Sequence, residues 1–500
     1  MMKFFKSLPE NPSFKDPKIF GLMLVFAVYF SLRLYHLGFH DLWYDEAGTV
    51  IAARTPWESW NAPLHYILIH FWTKLCGFSE FSLRFPSMIF SFLSVLLTYL
   101  LGKALFNKKT GIIASFFIGL SPFHLWYAQE ARDYSMVLCL GTASSYWLLK
   151  ALKSGKSMEW LVFVLVSALG FYTSYFYIFL FFGQSVCILL MKRSKLSFQE
   201  IVGLLTPALL FSLYLPQFLD KFRVIWQGFW VLEPTGRSLL ITFENFILGY
   251  NGTPALYAIS NILAVVLFAR ALWALRSKES RKPFLFCAYL LFVPVFAAFF
   301  FSRILFSVYL DRGLILFSPY GYLLLALGAA SLRRVPGFLL TGIFVLILLI
   351  GDYRFVKDLM DLPFAHHMGT YIKRPIKPAI RFLRDHVQMN EDIVAFTNQS
   401  AQLNFKLYEK AYLTYYFFDP ELPDTTWKQF EKESKSQIAA PNIGRLEFKR
   451  LWVVVSDWAR SGDLDENSRS VKAWLDQHFK LEFSKEIDGL WVLRYVRDVS

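Results

Sequence analysis

Long apolar runs separated by short polar connectors fill the first two thirds of the chain. An α-helix needs about twenty mostly apolar residues to cross a bilayer, and the runs are close to that length. They predict about eleven transmembrane helices, near residues 19–37, 84–106, 111–127, 134–152, 159–174, 176–191, 200–218, 254–274, 284–302, 313–332 and 336–351. The pattern therefore predicts a polytopic α-helical membrane domain over residues 1–351.

Basic residues predict the orientation of this domain. Lys and Arg gather in alternate connectors, at residues 103–109, 150–156, 192–195, 270–282 and 333–334. The positive-inside rule makes these connectors cytoplasmic and, with them, the N-terminus. Lysines precede the first run and no small-residue cleavage site follows it, which indicates an uncleaved signal anchor. We therefore expect a multi-pass protein of the plasma (inner) membrane.

Four polar connectors face outward under this topology, at residues 37–83, 127–134, 217–254 and 302–312, besides a short uncharged one near residues 173–175. The first contains "PLHYILIHFWTKLCGF", an amphipathic stretch that we expect to lie in the plane of the interface. The net charge of +14 is concentrated in the connectors, which excludes a nucleic-acid-binding protein. The four cysteines have no CxxC or CxxH spacing, so neither a zinc site nor a disulfide framework is indicated.

The composition changes after about residue 352, where charged residues replace the long apolar runs. "DIVAFTN", "AYLTYYFF" and "RLWVVVSD" predict strands, and "KLEFSKEIDGLWVLRYV" predicts a hairpin that turns at Asp488–Gly489. "IKPAIRFLRDHV" and "ENSRSVKAWLDQHF" predict amphipathic helices. Because an odd number of spans precedes it, we expect residues 352–500 to form a small soluble α/β domain on the periplasmic or extracellular face.

Asp45 and Glu46 directly follow the first apolar run, in "DLWYDEAGTV". Ionisable residues are costly to hold beside a bilayer, so those found there usually have a function. The neighbouring Trp43 and Tyr44 are typical of the membrane–water interface, which places both carboxylates at headgroup depth. Helix capping is an open alternative for Asp45, because Asp is a favoured N-cap and "EAGTVIAAR" is compatible with a short helix.

Further polar residues lie in two other outward connectors: Glu130, Arg132 and Asp133 in "YAQEARDY", and Arg312 near the membrane surface. Their convergence with the acidic pair would form an active-site cavity on one side of the membrane. An ordinary interfacial ion pair between Glu130 and Arg132 stays open as an alternative.

Two histidines are further candidates: His65 in the first outward connector and His124 near the end of the span at residues 111–127. Neither has metal-ligand spacing, which favours a structural role for both. His65 lies in the first outer loop and is also a candidate for binding the donor phosphate or the acceptor.

The run from "LWYDEAGTV" through "APLHYILIHFW" and "SLRFPSMIFSFLSVLLTYLLGKALF" to "GIIASFFIGLSPFHLWYAQEARDYSM" resembles the bacterial branch of the dolichyl-phosphate-mannose–protein mannosyltransferase family, glycosyltransferase family 39. This group includes relatives of the aminoarabinose–lipid A transferase. The close resemblance covers roughly residues 20–150, and "YLDRGLILFSPYGYLLLALG" is a looser match. Members often have Tyr after the Arg of that segment, whereas Gly313 follows Arg312 here.

The resemblance implies a C-type glycosyltransferase fold and an inverting enzyme that uses a polyprenyl-phosphate sugar. Asp45 matches the family's catalytic base, and Glu46 matches its partner in shaping the acceptor site. Glu130, Arg132 and Asp133 match the motif that helps to bind the donor phosphate and the acceptor.

Several properties stay open after this comparison. Some relatives bind a divalent metal, which this sequence does not establish. The lumenal sugar-binding insertion of the eukaryotic members is not visible, so a lipid, a glycan and a protein all remain possible acceptors. The main alternative from another class is a lipid-linked sugar flippase. Transporters usually carry ionisable residues near the bilayer midplane, whereas here they lie at the outer boundary, which favours the enzyme.

Overall fold

The computed structural model describes residues 27–59, 61–191, 196–227, 231–360, 375–388, 391–397, 405, 407–408, 415–418, 437–438, 448–456 and 466–497. It has a helical domain followed by a small domain built on one β-sheet. The start of the first predicted span, and with it the proposed signal anchor, lies outside the described residues. The part of that span that is described is helical over residues 27–34.

Helices form at every predicted span from residue 84 onward. Their bounds are Glu80–Leu105, Lys108–Gly119, Pro122–Ala128, Tyr134–Ser154, Ser157–Phe171, Tyr177–Met191, Phe198–Ser212, Leu215–Gln227, Pro254–Leu272, Lys278–Ile304, Ser318–Ser331 and Arg334–Val356. In the described part of the chain, five helices are long and apolar enough to cross a membrane, or seven if each bent pair is one span. The polytopic helical fold is therefore confirmed, and the number eleven stays a prediction.

Two of the predicted spans are bent pairs of helices. Lys108–Gly119 and Pro122–Ala128 meet at 62°. Pro122 stands at the first position of the second helix, and the Ser121 side chain accepts a hydrogen bond from the His124 backbone N–H. Proline fits a helix start but not its interior, which explains why the chain restarts there. The bend carries the chain into the second outward connector.

The helix Tyr134–Ser154 is the centre of the membrane domain. It packs against Glu80–Leu105 on one side and Ser157–Phe171 on the other. Most of its residues are buried inside the protein, including small ones such as Gly141, Ser144 and Ser145. Small side chains allow helices to approach closely in a membrane, where packing is a main source of association. Arg132 and Asp133 therefore lie at the N-terminal end of a well-packed helix.

The first outward loop contains the helices Tyr44–Ala52 and Leu64–Cys76, joined by a 3₁₀ turn at Pro56–Glu58. The second helix is the predicted amphipathic stretch. It buries His65, Tyr66 and Ile69, whereas Phe71 and Leu75 are exposed. The exposed apolar side chains suit a helix that rests in the interface plane.

The described part of the C-terminal domain has six strands, β1 to β6 in chain order, at Asp392–Phe396, Tyr415–Phe418, Gln437–Ile438, Arg450–Ser456, Lys480–Ile487 and Leu490–Val496. They form one sheet in the order β3-β2-β1-β4-β6-β5. Neighbours among β1 to β4 are parallel, and β5 and β6 form an antiparallel hairpin whose β6 strand pairs with β4. Residues 398, 411–414 and 457 of the predicted strands lie outside the described residues.

Two helices cover the two faces of this sheet. Lys377–His386 packs on the face that includes Val394 and Trp452, and Glu466–His478 packs on the face that includes Val453. The predicted hairpin turn is present, with positive φ at both Asp488 and Gly489, as a two-residue turn matched to strand twist requires. The predicted α/β domain is thus confirmed. The last helix of the membrane domain runs to Val356, slightly past the expected boundary.

Candidate active site

Three polar segments that are far apart in sequence lie near one another at one end of the membrane domain. Asp45 Oδ2 lies 4.0 Å from Arg132 Nη2. The Arg132 guanidinium lies 5.6 Å from the ring centroid of Tyr134. Burial alone would lower the pKa of Arg312, but its electrostatic surroundings, which include the Asp45 carboxylate, raise it. Asp45 and Arg132 thus lie together beside Tyr134, and Arg312 is within electrostatic range of Asp45.

Asp45 is the accessible carboxylate of the pair in the first loop. It lies in the first turn of Tyr44–Ala52, and its side chain is 21% exposed. The residue at the N-cap is Trp43, whose backbone N–H donates to Glu46 Oε2 at 3.4 Å. The capping alternative for Asp45 is therefore wrong, because Glu46 is the carboxylate that reaches back to the helix start. Asp45 instead faces Arg132.

Glu46 is fully buried and bound to Arg84 by two hydrogen bonds of 2.7 Å. It also accepts a hydrogen bond of 2.9 Å from the Ala131 backbone N–H. Arg84 in turn donates to the backbone carbonyls of Leu37, His40 and Asp41. Glu46 and Arg84 thus join the first loop, the helix Glu80–Leu105 and the second connector. This placement suits a supporting carboxylate better than one that touches an acceptor directly.

Arg84 was missed by the sequence analysis. Its signal was present, because an arginine in the first turn of an apolar span needs a partner. Nothing in the sequence indicated that the partner would be Glu46, which is 38 residues away.

Glu130 is also fully buried, and its Oε1 accepts a hydrogen bond of 2.7 Å from Trp126 Nε1. The ion pair recorded for Arg132 is with Asp45. The Arg132 Nη1 also donates long hydrogen bonds of 3.4 Å to the Asp45 carbonyl, Thr49 Oγ1 and Tyr66 OH. Of the predicted second-connector residues, Arg132 therefore faces the site, whereas Glu130 points into the protein.

Asp133 and His65 are buried beside Arg132. Burial raises the pKa of Asp133, although Arg132 opposes the shift. Burial and the Arg132 charge together lower the pKa of His65 to about 3. His65 is therefore neutral at physiological pH and fits a structural or hydrogen-bonding role. His124 lies away from this site, where its Nε2 is 2.9 Å from Ser318 Oγ.

Arg312 is held in place by a network that sequence reasoning did not find. Asp311 Oδ2 accepts hydrogen bonds from Asn245 Nδ2 at 2.7 Å and from Tyr250 OH at 3.0 Å. Asp311 Oδ1 accepts the Arg312 backbone N–H at 2.7 Å. The Tyr250 and Tyr127 hydroxyls lie 2.5 Å apart. Burial raises the pKa of Asp311 to about 6, against the effect of these donors.

Gly313 follows Arg312 for a steric reason. A Cβ at position 313 would collide with the ring of Phe176. A tyrosine cannot stand there unless Phe176 moves. The departure from the family pattern therefore reflects local packing beside the site.

The residues present do not form an evident metal site. In the described ranges, no group of three or more His, Cys, Asp or Glu side chains is placed to hold a metal ion. Asp45 and Asp133 both lie beside the Arg132 charge, which is an unfavourable setting for a cation. No step of the chemistry below uses a metal.

Comparison with known proteins places this geometry in context. Residues 60–219 match the family described as dolichyl-phosphate-mannose-protein mannosyltransferase. The match includes Arg84 and the second connector, whereas Asp45 and Arg312 lie outside it. No curated protein matches the chain.

The solved structures that match do so over nearly the whole chain. ArnT from Cupriavidus metallidurans in the apo state has a TM-score of 0.65 at 12% identity, covering 95% of this chain and 98% of that one. The same protein bound to undecaprenyl phosphate has a TM-score of 0.62 at 11% identity, with 95% and 97% covered. The chain has the C-type glycosyltransferase fold.

A third structure supports the same fold. The arabinofuranosyltransferase AftD from Mycobacteria has a TM-score of 0.54 at 13% identity. The alignment covers 96% of this chain and 40% of AftD. The family resemblance and the C-type fold expected from sequence are thus confirmed, and the family match over residues 60–219 bears out the prediction of a glycosyltransferase.

Proposed function

We propose that this protein is an inverting membrane glycosyltransferase that moves a sugar from a polyprenyl-phosphate donor to an acceptor at the outer face of the plasma membrane. The observation that carries the proposal is the contact of Asp45 with Arg132 in a C-type fold, with Arg312 within electrostatic range of Asp45. The family match and the fold support the enzyme class. They give no support to the flippase alternative.

The chemistry needs a base and a site for a leaving phosphate. Asp45 accepts the proton from an acceptor hydroxyl as its oxygen bonds to the anomeric carbon of the sugar. The bond between that carbon and the phosphate oxygen breaks on the opposite side, which inverts the configuration. The polyprenyl phosphate leaves with the electron pair of that bond. Arg132 and Arg312 stabilise the negative charge that develops on it.

The remaining site residues are assigned supporting roles. Glu46 holds the first loop against Arg84 and the second connector, and Glu130 fixes the second connector to the preceding helix through Trp126. Asp133 and His65 are buried beside Arg132, and each is a candidate to contact the bound donor or acceptor. A carboxylate that is fully buried and already bonded is poorly placed to contact a phosphate, so we assign Glu130 to positioning.

The acceptor and the topology complete the proposal. The acceptor is a hydroxyl or phosphate group of a lipid, a glycan or a protein. The C-terminal domain and the four outward connectors lie on the periplasmic or extracellular side, with the N-terminus in the cytoplasm, as the positive-inside rule predicts. The polyprenyl phosphate then delivers the sugar at the height of Asp45.

A reconstituted transfer assay tests the function. The full-length protein in lipid vesicles is given a radiolabelled polyprenyl-phosphate sugar together with a membrane extract as the source of acceptor. The enzyme moves the label from the donor into a new glycoside. Movement of intact donor between leaflets without any new glycoside would establish the flippase instead. Comparing the envelope lipids and glycans of a deletion strain with its parent by mass spectrometry then identifies the acceptor.

A further inference from the structure

The C-terminal domain touches the first outward loop close to Asp45. The contact uses Asp41 and Glu80 from the membrane domain and Lys377 and Tyr408 from the C-terminal domain. None of these four residues takes part in the chemistry proposed above. Their contacts connect the C-terminal domain to the loop that carries Asp45.

Asp41 holds the start of the first helix of the C-terminal domain. Its Oδ2 accepts hydrogen bonds from the backbone N–H groups of Ile376 and Lys377, at 2.8 and 2.9 Å. The first N–H groups of a helix have no partner within it, and a carboxylate there also interacts favourably with the helix dipole. Asp41 is nearly inaccessible to solvent, so this contact belongs to the buried part of the interface between the two domains.

Lys377 and Tyr408 both converge on Glu80. Lys377 Nζ pairs with Glu80 Oε1 and lies 3.2 Å from Asp41 Oδ1. The Tyr408 hydroxyl donates to Glu80 Oε1 at 2.8 Å. Lys377 Nζ also lies 4.7 Å from the centroid of the Tyr408 ring. Lys377 and Tyr408 therefore provide ionic and hydrogen-bond partners for the Asp41 and Glu80 carboxylates at the domain boundary.

The Tyr408 hydroxyl also reaches the catalytic loop itself. It accepts a hydrogen bond of 2.9 Å from the backbone N–H of Leu42. The next residue, Trp43, is the N-cap of the helix that carries Asp45. The Tyr408 side chain also packs on a small apolar cluster that includes Leu42 and Ala131. Tyr408 thus holds the residue just before the N-cap of this helix, whereas Glu46 holds the N-cap itself and binds Arg84.

We propose that Tyr408 and Lys377 are positioning residues for Asp45, so that the C-terminal domain is part of the catalytic unit. The inference rests on the proposed glycosyl transfer and deepens it. A base must be held within hydrogen-bonding reach of the proton that it removes, and a misplacement of about 1 Å can cost about a hundredfold in rate. Loss of the contact should therefore lower kcat much more than it changes the KM for the donor, because both proposed phosphate-binding residues, Arg132 and Arg312, are retained.

The first test is Tyr408→Phe in the full-length protein. This change keeps the ring but removes the hydroxyl that binds Leu42 and Glu80. We expect kcat to fall about tenfold, with the donor KM within about twofold of wild type. The matched control is Tyr495→Phe, which removes a tyrosine–carboxylate hydrogen bond to Asp476 inside the same domain. The control should keep the wild-type kcat.

Amide hydrogen exchange provides a second readout on the same pair of variants. Tyr408→Phe should speed exchange over residues 41–52 and leave the distant helix Pro254–Leu272 unchanged, since local opening of this loop becomes easier. Tyr495→Phe should leave exchange in residues 41–52 as in the wild type. A Tyr408→Phe protein with wild-type kcat and wild-type exchange over residues 41–52 would overturn the inference.

Lys377 gives an independent test if Tyr408→Phe folds poorly. Lys377→Met should reduce kcat about tenfold, and Lys377→Arg should restore most of it because the positive charge returns. Lys449→Met, which breaks the exposed ion pair with Glu391 within the same domain, is the control. Equal activity of Lys377→Met and Lys449→Met would contradict the positioning role. Wild-type protein that forms no glycoside would refute the proposed function itself, which separates the two failures.

Discussion

Two adjacent carboxylates of the first outer loop have opposite surroundings. Glu46 has no exposed surface and is bound to Arg84 at 2.7 Å. Asp45 is 21% exposed and lies 4.0 Å from the nearest Arg132 nitrogen. A carboxylate whose lone pairs are already used holds the structure together, whereas one with a longer, partly open contact has room for a substrate. The difference supports the proposed roles, in which Glu46 holds the structure and Asp45 acts in the chemistry.

The largest expected effect is on folding stability, and it comes from replacing the buried carboxylate, Glu46. Glu46→Gln should lower the free energy of unfolding by about 3–5 kcal/mol, since it leaves Arg84 buried without its ionic partner. Thermal unfolding of the purified protein in detergent measures the effect. Asp220→Asn, at an exposed ion pair with Arg223, is the matched control and should change stability by less than about 0.5 kcal/mol.

A double variant sharpens the same point. Replacing both partners, as in Glu46→Gln with Arg84→Met, removes the uncompensated charge. The double variant should therefore be more stable than the sum of the two single changes predicts. Simple additivity of the two losses would contradict a direct ion pair.

The next effect concerns Arg132, the ionic partner of the partly exposed Asp45. Arg132→Ala should lower kcat/KM by about 10²–10³-fold, because a donor to the leaving phosphate is lost. Steady-state kinetics with varied polyprenyl-phosphate sugar measures it. Arg223→Ala, an arginine exposed on another outer helix, should leave the kinetics unchanged. An unaffected kcat/KM in Arg132→Ala would remove this residue from the phosphate site.

The smallest effect is a pH dependence of stability at Asp311, which supports Arg312. The pKa of Asp311 in the folded protein is raised to about 6, so the folded state binds a proton that the unfolded state has released. This contribution to stability is present below the unfolded pKa and is lost as the pH rises through about 6. The loss should be at most about 1.4 kcal/mol per pH unit.

Asp311→Asn checks this assignment. Unfolding of the variant, followed by heat at several values of pH between about 4 and 6, should lack the part of the pH dependence that Asp311 supplies. An identical pH dependence in the wild type and the variant would show that another group titrates in that range.

The sequence predicted well what depends on local pattern. Apolar runs near residues 84–106 and 134–152 predicted the helices Glu80–Leu105 and Tyr134–Ser154. Alternation and Asp488–Gly489 predicted the terminal hairpin, because strand period and turn chemistry are encoded in neighbouring residues. The bends within two spans were not predicted, since hydropathy averages over a break of a few residues.

Partnership between distant residues could not be predicted in the same way. Glu46 and Arg84 are 38 positions apart. Asp311 is 66 positions from Asn245 and 61 from Tyr250. Tyr408 is 366 positions from Leu42. No local periodicity encodes such contacts, and one sequence shows no covariation. The resemblance to a family pointed to Asp45 and Arg132, but it did not indicate which carboxylate of each cluster would be buried.

The most direct test of the central claim is Asp45→Asn in the reconstituted transfer assay. The side chain keeps its size but cannot accept the proton, so we expect transfer to fall by about 10²–10⁴-fold with unchanged thermal stability and donor binding. The result would contrast with Glu46→Gln, which loses stability first. An Asp45→Asn protein that transfers sugar at a near-normal rate would contradict the assignment of Asp45 as the base.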